Sequence, residues 1–407
     1  MDPRPTTDKE GREELREKGQ FFTPQWVTTA MSAFILRGKP TQIFEPGFGT
    51  GAFFVGTESA ARTMQVELPV YRGCETDDSA FARAIDQGIP ENVIQNIADK
   101  SFFDFDTEPV YPAILGNPPY IRHHRLSREK KALSKLATEI TGRKIDKRAG
   151  YHVYFLIKSL AMLKKDGRLS FILPADVAEG KFSKALWSWI SENYQIHSVV
   201  TFSPEATPFP GVDTNAIIFN IIKKKPHDEI KWLRCNKTDS SLFELISTDR
   251  ATWESTENIE VFTRTLDEAM YRGLSRPTTE LGVEGKDFLP LAHFCKTVRG
   301  IATGANSFFW LSEEELNSNG LSEFKNTEYI LECVGKTRDV KTAELTKEVF
   351  LEHVKSGKSA YLLSLSKQAI EDLPKPIQTY IQKGVDEGFN ERTLISKRKP
   401  WYNMEKR

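Results

Sequence analysis

The stretch from Gln42 to Gly51 constrains the chain most. A short apolar run, Gln42 to Glu45, enters Pro46-Gly47-Phe48-Gly49-Thr50-Gly51 and leaves into a helix-permissive stretch from Ala52 to about Arg62. Strand, glycine-rich turn and helix in that order open a βαβ unit. Glycine accepts positive φ and lets a ligand approach the backbone. No Gly-Lys-Ser/Thr follows, so the turn is not a Walker loop, and it implies a nucleotide-like cofactor instead. Glu75 closes the next strand-like run, Val70 to Glu75, 24 residues after Gly51, where nucleotide folds of this type place a ribose-binding carboxylate.

Val27, Ala30, Met31, Phe34 and Ile35 fall at helical spacing and predict a helix from Gln25 to Arg37 behind Thr23-Pro24. Further strand-like runs lie at Asn92 to Ala98, Ala113 to Gly116, Arg168 to Leu173, Ile196 to Phe202 and Asn215 to Lys223. Helices are expected at Asp78 to Gln87, Tyr151 to Lys165 and Lys181 to Asn193. The alternation predicts an α/β fold with a doubly wound, Rossmann-like sheet of about seven strands. The loop Ser203 to Thr214 has no helical pattern, so the last strand is expected to return antiparallel at the sheet's edge. The 407 residues suit two or three domains. The pattern places them at 1–240, a connector at 241–287, and a mixed α+β domain at 288–407.

Composition excludes several classes. Lys plus Arg and Asp plus Glu number 56 each, so attraction to nucleic acid must come from a local patch, and 39% hydrophobic residues with 26 Phe mark a folding chain. Cys74, Cys235, Cys295 and Cys333 form no CxxC pair, which argues against a zinc module and a disulfide framework and for a reducing cytoplasm. The charged opening twenty residues lack an apolar signal region, and no run approaches the ~18 apolar residues of a membrane span.

The sharpest feature is Asn117-Pro118-Pro119-Tyr120, directly after the apolar run Pro112 to Gly116. That is the carboxyl end of the fourth strand, where such sheets bind ligands. Polyproline linkers also contain Pro-Pro pairs, but in polar, proline-rich surroundings.

These residues together resemble the S-adenosylmethionine-dependent N6-adenine DNA methyltransferases of the gamma group, found in restriction-modification systems. The resemblance spans nearly the whole chain: Gln20-Phe21-Phe22-Thr23-Pro24, the Glu45 to Gly51 turn, Glu75, Asp99 and Asn117 to Tyr120 follow in the gamma-group order. Arg299 to Phe309 and the closing Lys399-Pro400-Trp401-Tyr402 look like pieces of that family's target-recognition domain. The resemblance implies S-adenosylmethionine as cofactor, with Thr23 and Pro24 around its methionine moiety, Glu45, Pro46, Gly47, Gly49 and Gly51 beneath it, Glu75 on the ribose, Asp99 on the adenine amine and Asn117 also among its contacts. Lys100 departs from the apolar residue usual after that aspartate, so Phe102 or Phe103 would take its place against the adenine.

It also implies the chemistry. The lone pair of adenine N6 is delocalised into the ring, and acceptors for its two hydrogens favour the tetrahedral, nucleophilic nitrogen. The Asn117 side-chain oxygen and the Pro118 carbonyl are the implied acceptors, and a proline holds its carbonyl rigidly without donating an N–H. The target must leave the duplex, so Tyr120 is expected against one face of the flipped base and Phe209, in Pro208-Phe209-Pro210, against the other. Neither a metal nor a covalent enzyme intermediate is required. His123-His124 is rejected as a metal pair, because adjacent residues point apart and no partner ligand is spaced for it.

Residues 121–150 hold ten Lys or Arg, among them Arg122, Arg125, Arg128, Lys130 and Lys131, against three carboxylates, a net charge of +7. Beside the tetrapeptide this patch suits duplex DNA phosphates, and the alternative is a solvated helix and loop. Structured RNA is a second possible acceptor, and a protein glutamine amide a third. About forty residues precede the first strand, so any nuclease is expected on a separate chain, a cognate restriction endonuclease. The abrupt basic ending raises the expectation that the second domain is incomplete and that a further segment or subunit finishes DNA recognition.

Overall fold

Strand β1 (Gln42–Pro46) sends Ile43 into one apolar core and Phe44 into another on the opposite side. A strand covered on both faces must be apolar on both, which is the signature of a sheet wrapped by helices. In this computed structural model β1 joins β2 (Val70–Glu75), β3 (Ile97–Asp99), β4 (Tyr111–Gly116), β5 (Leu163–Pro174), β6 (Gln195–Phe202), β7 (Ala216–Ile222), β8 (Glu229–Cys235) and β9 (Ile259–Thr265) in a nine-stranded sheet of order β3-β2-β1-β4-β5-β7-β6-β8-β9. The structure describes residues 22–126, 129–179, 182–210, 215–272, 274, 291–296, 301, 303–336, 339–342, 344–365 and 368–403. Two compact units divide between Gly282 and Val283.

In the first unit β1 to β5 run parallel, and the order reverses between β1 and β4. Helices α1 (Gln25–Leu36) and α2 (Ala52–Met64) cover one face, with Val27, Met31 and Phe34 packed over Ile43 and Leu115. Gly56 lets them approach, because a Cβ there would lie 2.2 Å from the Thr28 hydroxyl. Helix α3 (Asp78–Asp86) links β2 to β3 and is capped by Asp77, whose side chain accepts from the Ser79 N–H. Next come α4 (Lys130–Thr141) and the helices of the opposite face, α5 (Tyr151–Met162) and α6 (Ser183–Asn193), which set Leu156, Leu160 and Trp187 against Phe44 and Phe171.

The doubly wound α/β reading describes this unit, with four differences. Strand β7 is antiparallel but interior, between β5 and β6. All seven of its residues are buried, and its backbone is paired on both sides, so it is covered in every direction. Asn220 fixes its register, accepting from Ser170 Oγ at 2.7 Å and donating to Ser198 Oγ at 3.0 Å. The sheet also exceeds seven strands: β8 adds beside β6, and β9 pairs antiparallel with β8 from Cys235↔Ile259 to Glu229↔Thr265. The stretch expected as a connector from 241 thus contributes α7 (Ser241–Ser247), β9 and α8 (Leu266–Arg272) to this unit. Asn92 to Ala98 is not one strand; a helical turn, Glu91–Ile94, precedes the short β3. Finally, the helix expected to reach Lys165 ends at Met162, and Leu163 already begins β5.

The second unit holds a three-stranded antiparallel sheet, β10 (Trp310–Leu311), β12 (Tyr361–Leu363) and β11 (Ile330–Glu332), in that order. Beside it α9 (Lys375–Asp386) buries Ile377, Tyr380 and Ile381. Phe308 stacks on Tyr380 at 4.7 Å and packs 5.2 Å from Trp401, while Arg398 donates to the Thr303 carbonyl at 2.9 Å. The two runs that resemble recognition-domain pieces therefore meet in one core, apart from Arg299, Gly300 and Ala302, which lie outside the described residues.

Candidate active site

The reversal of strand order between β1 and β4 leaves a crevice beyond their carboxyl ends, the standard ligand position in open α/β sheets. A cleft of about 640 Å³ opens there. Its floor is the turn after β1, where Gly47, Gly49 and Gly51 take φ of 87°, 57° and 83°. A side chain would be strained at each. A Cβ added at Gly47 or Gly49 would meet nothing within 4 Å, so both glycines keep the cleft open, whereas at Gly51 it would strike Ile89. The amides of Gly47 and Phe48 donate to the Cys74 carbonyl, which binds the turn to the end of β2.

Glu75 completes that tie. One carboxylate oxygen accepts from Gly49 N–H at 2.8 Å and the other from Thr76 and Asp77 N–H at 2.7 and 3.0 Å. A carboxylate offers about four acceptor positions, so one remains beyond these three. Glu45 lines the same cleft at 1% exposure and accepts from the Tyr71 hydroxyl at 2.7 Å. Burial raises its carboxyl well above the ordinary carboxylate range; the Tyr71 hydrogen bond opposes this and the charge of Glu75 adds to it.

The tetrapeptide leaves β4 into this cleft, which Asn117 and Pro119 line. Thr23 accepts a hydrogen bond from Asn117 Nδ2 at 3.1 Å, which fixes the amide plane. Thr23 is itself buried, immediately ahead of Pro24, which caps α1. Pro118 is buried and Tyr120 half-buried, the latter packing edge-on to His152 at 6.0 Å and to Phe209 at 6.4 Å. The Tyr120 phenol is pushed well up by burial and by Asp176. Phe209 is buried in the core shared with α1. Tyr120 and Phe209 are thus neighbours, but their rings stand at 85° and do not form a parallel slot.

Of the expected cofactor residues, Thr23, Glu45, Gly47, Gly49, Glu75 and Asn117 line the cleft; Pro24, Pro46 and Gly51 do not. Asp99 ends β3 opposite Glu75, is exposed and does not line the cleft, whereas Lys100, Ser101 and Phe102 do. Among the basic residues, Arg125 lines the cleft beside Glu129, Arg122 is exposed next to it, and Lys130 and Lys131 open α4. Arg128 lies outside the described residues. Arg83, Tyr71, His152 and Lys158 also bear on this region and escaped the sequence reading. They sit on helix or strand faces that look like ordinary amphipathic pattern. Among the described residues, no group of three or more His, Cys, Asp or Glu gathers to hold a metal, and no helix is long and apolar enough to cross a membrane.

Residues 60–209 match the model of the Eco57I restriction-modification methylase family, and residues 281–406 match that of the C-terminal domain of type II methyltransferase M.Eco57I. Type II methyltransferase M.AccI of Acinetobacter calcoaceticus is 28% identical over 402 residues, 97% of this chain and 70% of that protein. This chain belongs to the restriction-modification DNA methyltransferases. Type II methyltransferase M.HincII of Haemophilus influenzae is 30% identical over 213 residues, 52% of this chain, and the match spans only 38% of that protein. A tRNA1(Val) (adenine(37)-N6)-methyltransferase of Glaesserella parasuis is 27% identical over 161 residues, 39% of this chain and 63% of that protein. The type IIG restriction endonuclease BpuSI shares the fold, with TM-score 0.50 and 14% identity over 94% of this chain and 47% of that one. S-adenosylmethionine is the cofactor that the resemblance of the sequence implies for this chain. The cleft suits that cationic cofactor: open glycines at its floor, the carboxylates of Glu45 and Glu75, and the apolar Phe102 and Phe155.

Proposed function

We propose that this restriction-modification methyltransferase methylates N6 of a specific, flipped-out adenine in duplex DNA. The observation that carries the reading is the convergence of Asn117 and the glycine turn on one cleft, with the Asn117 amide held by Thr23. In that cleft Thr23, Glu45, Gly47, Gly49 and Glu75 hold the methionine and ribose parts of the cofactor, which when bound supplies an electrophilic methyl group. Asn117 Oδ1 and the Pro118 carbonyl accept hydrogen bonds from the target amino group. That preorganised pair stabilises the nitrogen as its lone pair localises, the kind of electrostatic help that enzymes use most. Holding both reactants in one crevice supplies the rest through proximity.

Tyr120 presents an aromatic surface to the extruded base, and Phe209 reorients from its edge-on packing to meet the other side. Arg122, Lys130 and Lys131 engage phosphates beside the target, giving salt-dependent affinity. The second unit reads the target sequence, and a restriction endonuclease cuts the site when it is unmodified.

A second reading, adenine in structured RNA, is favoured by the likeness to the tRNA adenine-N6 methyltransferase. One experiment separates the two. The protein, with Asn117→Ala as control, is incubated with S-adenosylmethionine and either methylation-free bacterial DNA or bulk tRNA, and nucleosides are quantified by mass spectrometry. N6-methyladenine in DNA from the wild type alone is the expected result. Its appearance only in RNA supports the second reading, and its absence from both overturns adenine as the acceptor.

A further inference from the structure

Lys158, in the middle of α5, is 1% exposed, a rare position for an ammonium group unless it is fully hydrogen-bonded. Here it is. Nζ donates to the backbone carbonyls of Phe102 and Phe103 at 3.0 Å each and of Phe105 at 2.6 Å, so each ammonium hydrogen has a carbonyl partner. All three carbonyls belong to one 3-10 turn, Phe102–Asp104, and its exit. The same ammonium lies 5.2 and 5.6 Å from the ring centroids of Phe102 and Phe103. Carbonyls that a longer helix would satisfy internally are here gathered by one side chain.

The turn follows β3 at the edge of the cofactor cleft, and Phe102 lines that cleft. Phe102 also stacks on Phe155 at 4.8 Å, one turn before Lys158 on the same helix. Lys100 also lines the cleft, with its ammonium over the Phe105 ring at 3.8 Å, and Asp99 lies outside the cleft lining. The apolar wall at this end is therefore made by the turn and not by the residue that follows β3. Burial lowers the Lys158 ammonium from its usual range, while Asp104 offsets part of that.

We propose that Lys158 is a positioning residue: by binding the carbonyls of the Phe102–Phe105 turn it sets Phe102 as the wall against which the adenine of the cofactor packs. This deepens the assignment of the cleft to S-adenosylmethionine and rests on it. Truncating the ammonium leaves three carbonyls without their donor, so the turn reorganises and the wall loosens, while Asn117 and Thr23, on other elements, stay in place.

Two measurements test it. In Lys158→Met the dissociation constant for S-adenosylhomocysteine, by calorimetry, is expected to rise about tenfold and the KM for S-adenosylmethionine in parallel, with kcat within about twofold. Lys158→Arg, which keeps donors for the carbonyls, is expected to recover most of the loss. Because Lys158→Met can fail to fold, amide hydrogen exchange is followed on the wild type: S-adenosylhomocysteine is expected to protect residues 102–105. Unchanged exchange there at saturating ligand, or Lys158→Met binding as tightly as wild type, overturns the proposal. Wild-type protein that binds no S-adenosylhomocysteine instead refutes the assignment of the cleft, so the two failures are distinguishable.

Discussion

The cleft of the first unit and the core of the second solve opposite problems with similar materials. In the second unit Phe308 sits among Tyr380, Phe389 and Trp401, and Gly384 is small because a Cβ there would press within 2.4 Å of the Phe308 ring. Among its polar contacts is a Tyr380 hydroxyl donating to the Phe308 carbonyl at 2.9 Å. At the cleft, a carboxyl and an ammonium group are buried: Glu45 and Lys158 at 1% exposure each, beside Thr23 at 7%. Each is held by named partners, because a buried polar group without one is costly. The contrast shows where this chain gives up stability, since apolar packing is maximised where only shape is needed and relaxed where a ligand must be met.

The largest effects should fall on opposite sides of that contrast. Phe308→Ala removes the ring at the centre of the second core and should cost about 3–5 kcal/mol of that unit's stability, read by denaturant unfolding. Affinity for S-adenosylhomocysteine should stay within about twofold; a large loss would mean that the two regions are not energetically separate. Asn117→Ala should do the reverse. Methyl transfer should fall by about 10²–10³-fold, the scale of removing one preorganised group at a developing charge, with unfolding little changed.

Much of the cleft was readable because its residues are locally dictated. Positive φ at 47, 49 and 51 demands glycine, and the tetrapeptide sits at a strand end whose apolar run is unmistakable. What was not readable depends on distant pairing. Interior β7 is set by Ser170 and Ser198 on two other strands, and β8 hides Ile230, Trp232 and Leu233 among Lys231 and Arg234, so it looks polar until β9 lies beside it. Lys158 was invisible for a related reason: a lone lysine in a helix reads as reaching solvent, and its three carbonyl partners lie more than fifty residues away.

The buried carboxyl offers a smaller, pH-dependent test. Burial holds Glu45 protonated above the usual carboxylate range, with Tyr71 opposing and Glu75 reinforcing the shift. A cationic ligand favours the ionised form, so binding of S-adenosylmethionine should strengthen as pH rises through the raised value and Glu45 loses its proton. S-adenosylhomocysteine, which lacks the sulfonium charge, should show a shallower slope, and Glu45→Gln should flatten both. Equal slopes for the two ligands in calorimetric titrations across pH 5–8 would mean that Glu45 does not face the sulfonium.

The smallest expected effect concerns the single hydrogen bond that orients the catalytic amide. Thr23→Val keeps the shape of the buried side chain and removes only the oxygen that receives Asn117 Nδ2. The net worth of such a bond is about 1 kcal/mol, so kcat should drop by about 3–10-fold, with KM for the cofactor less affected. Thr23→Ser restores the hydroxyl without the methyl group and should recover most of the rate. If Thr23→Val instead lowered cofactor affinity with kcat intact, Thr23 would belong to the methionine side of the cleft alone, and the Asn117 amide would owe its orientation to other partners.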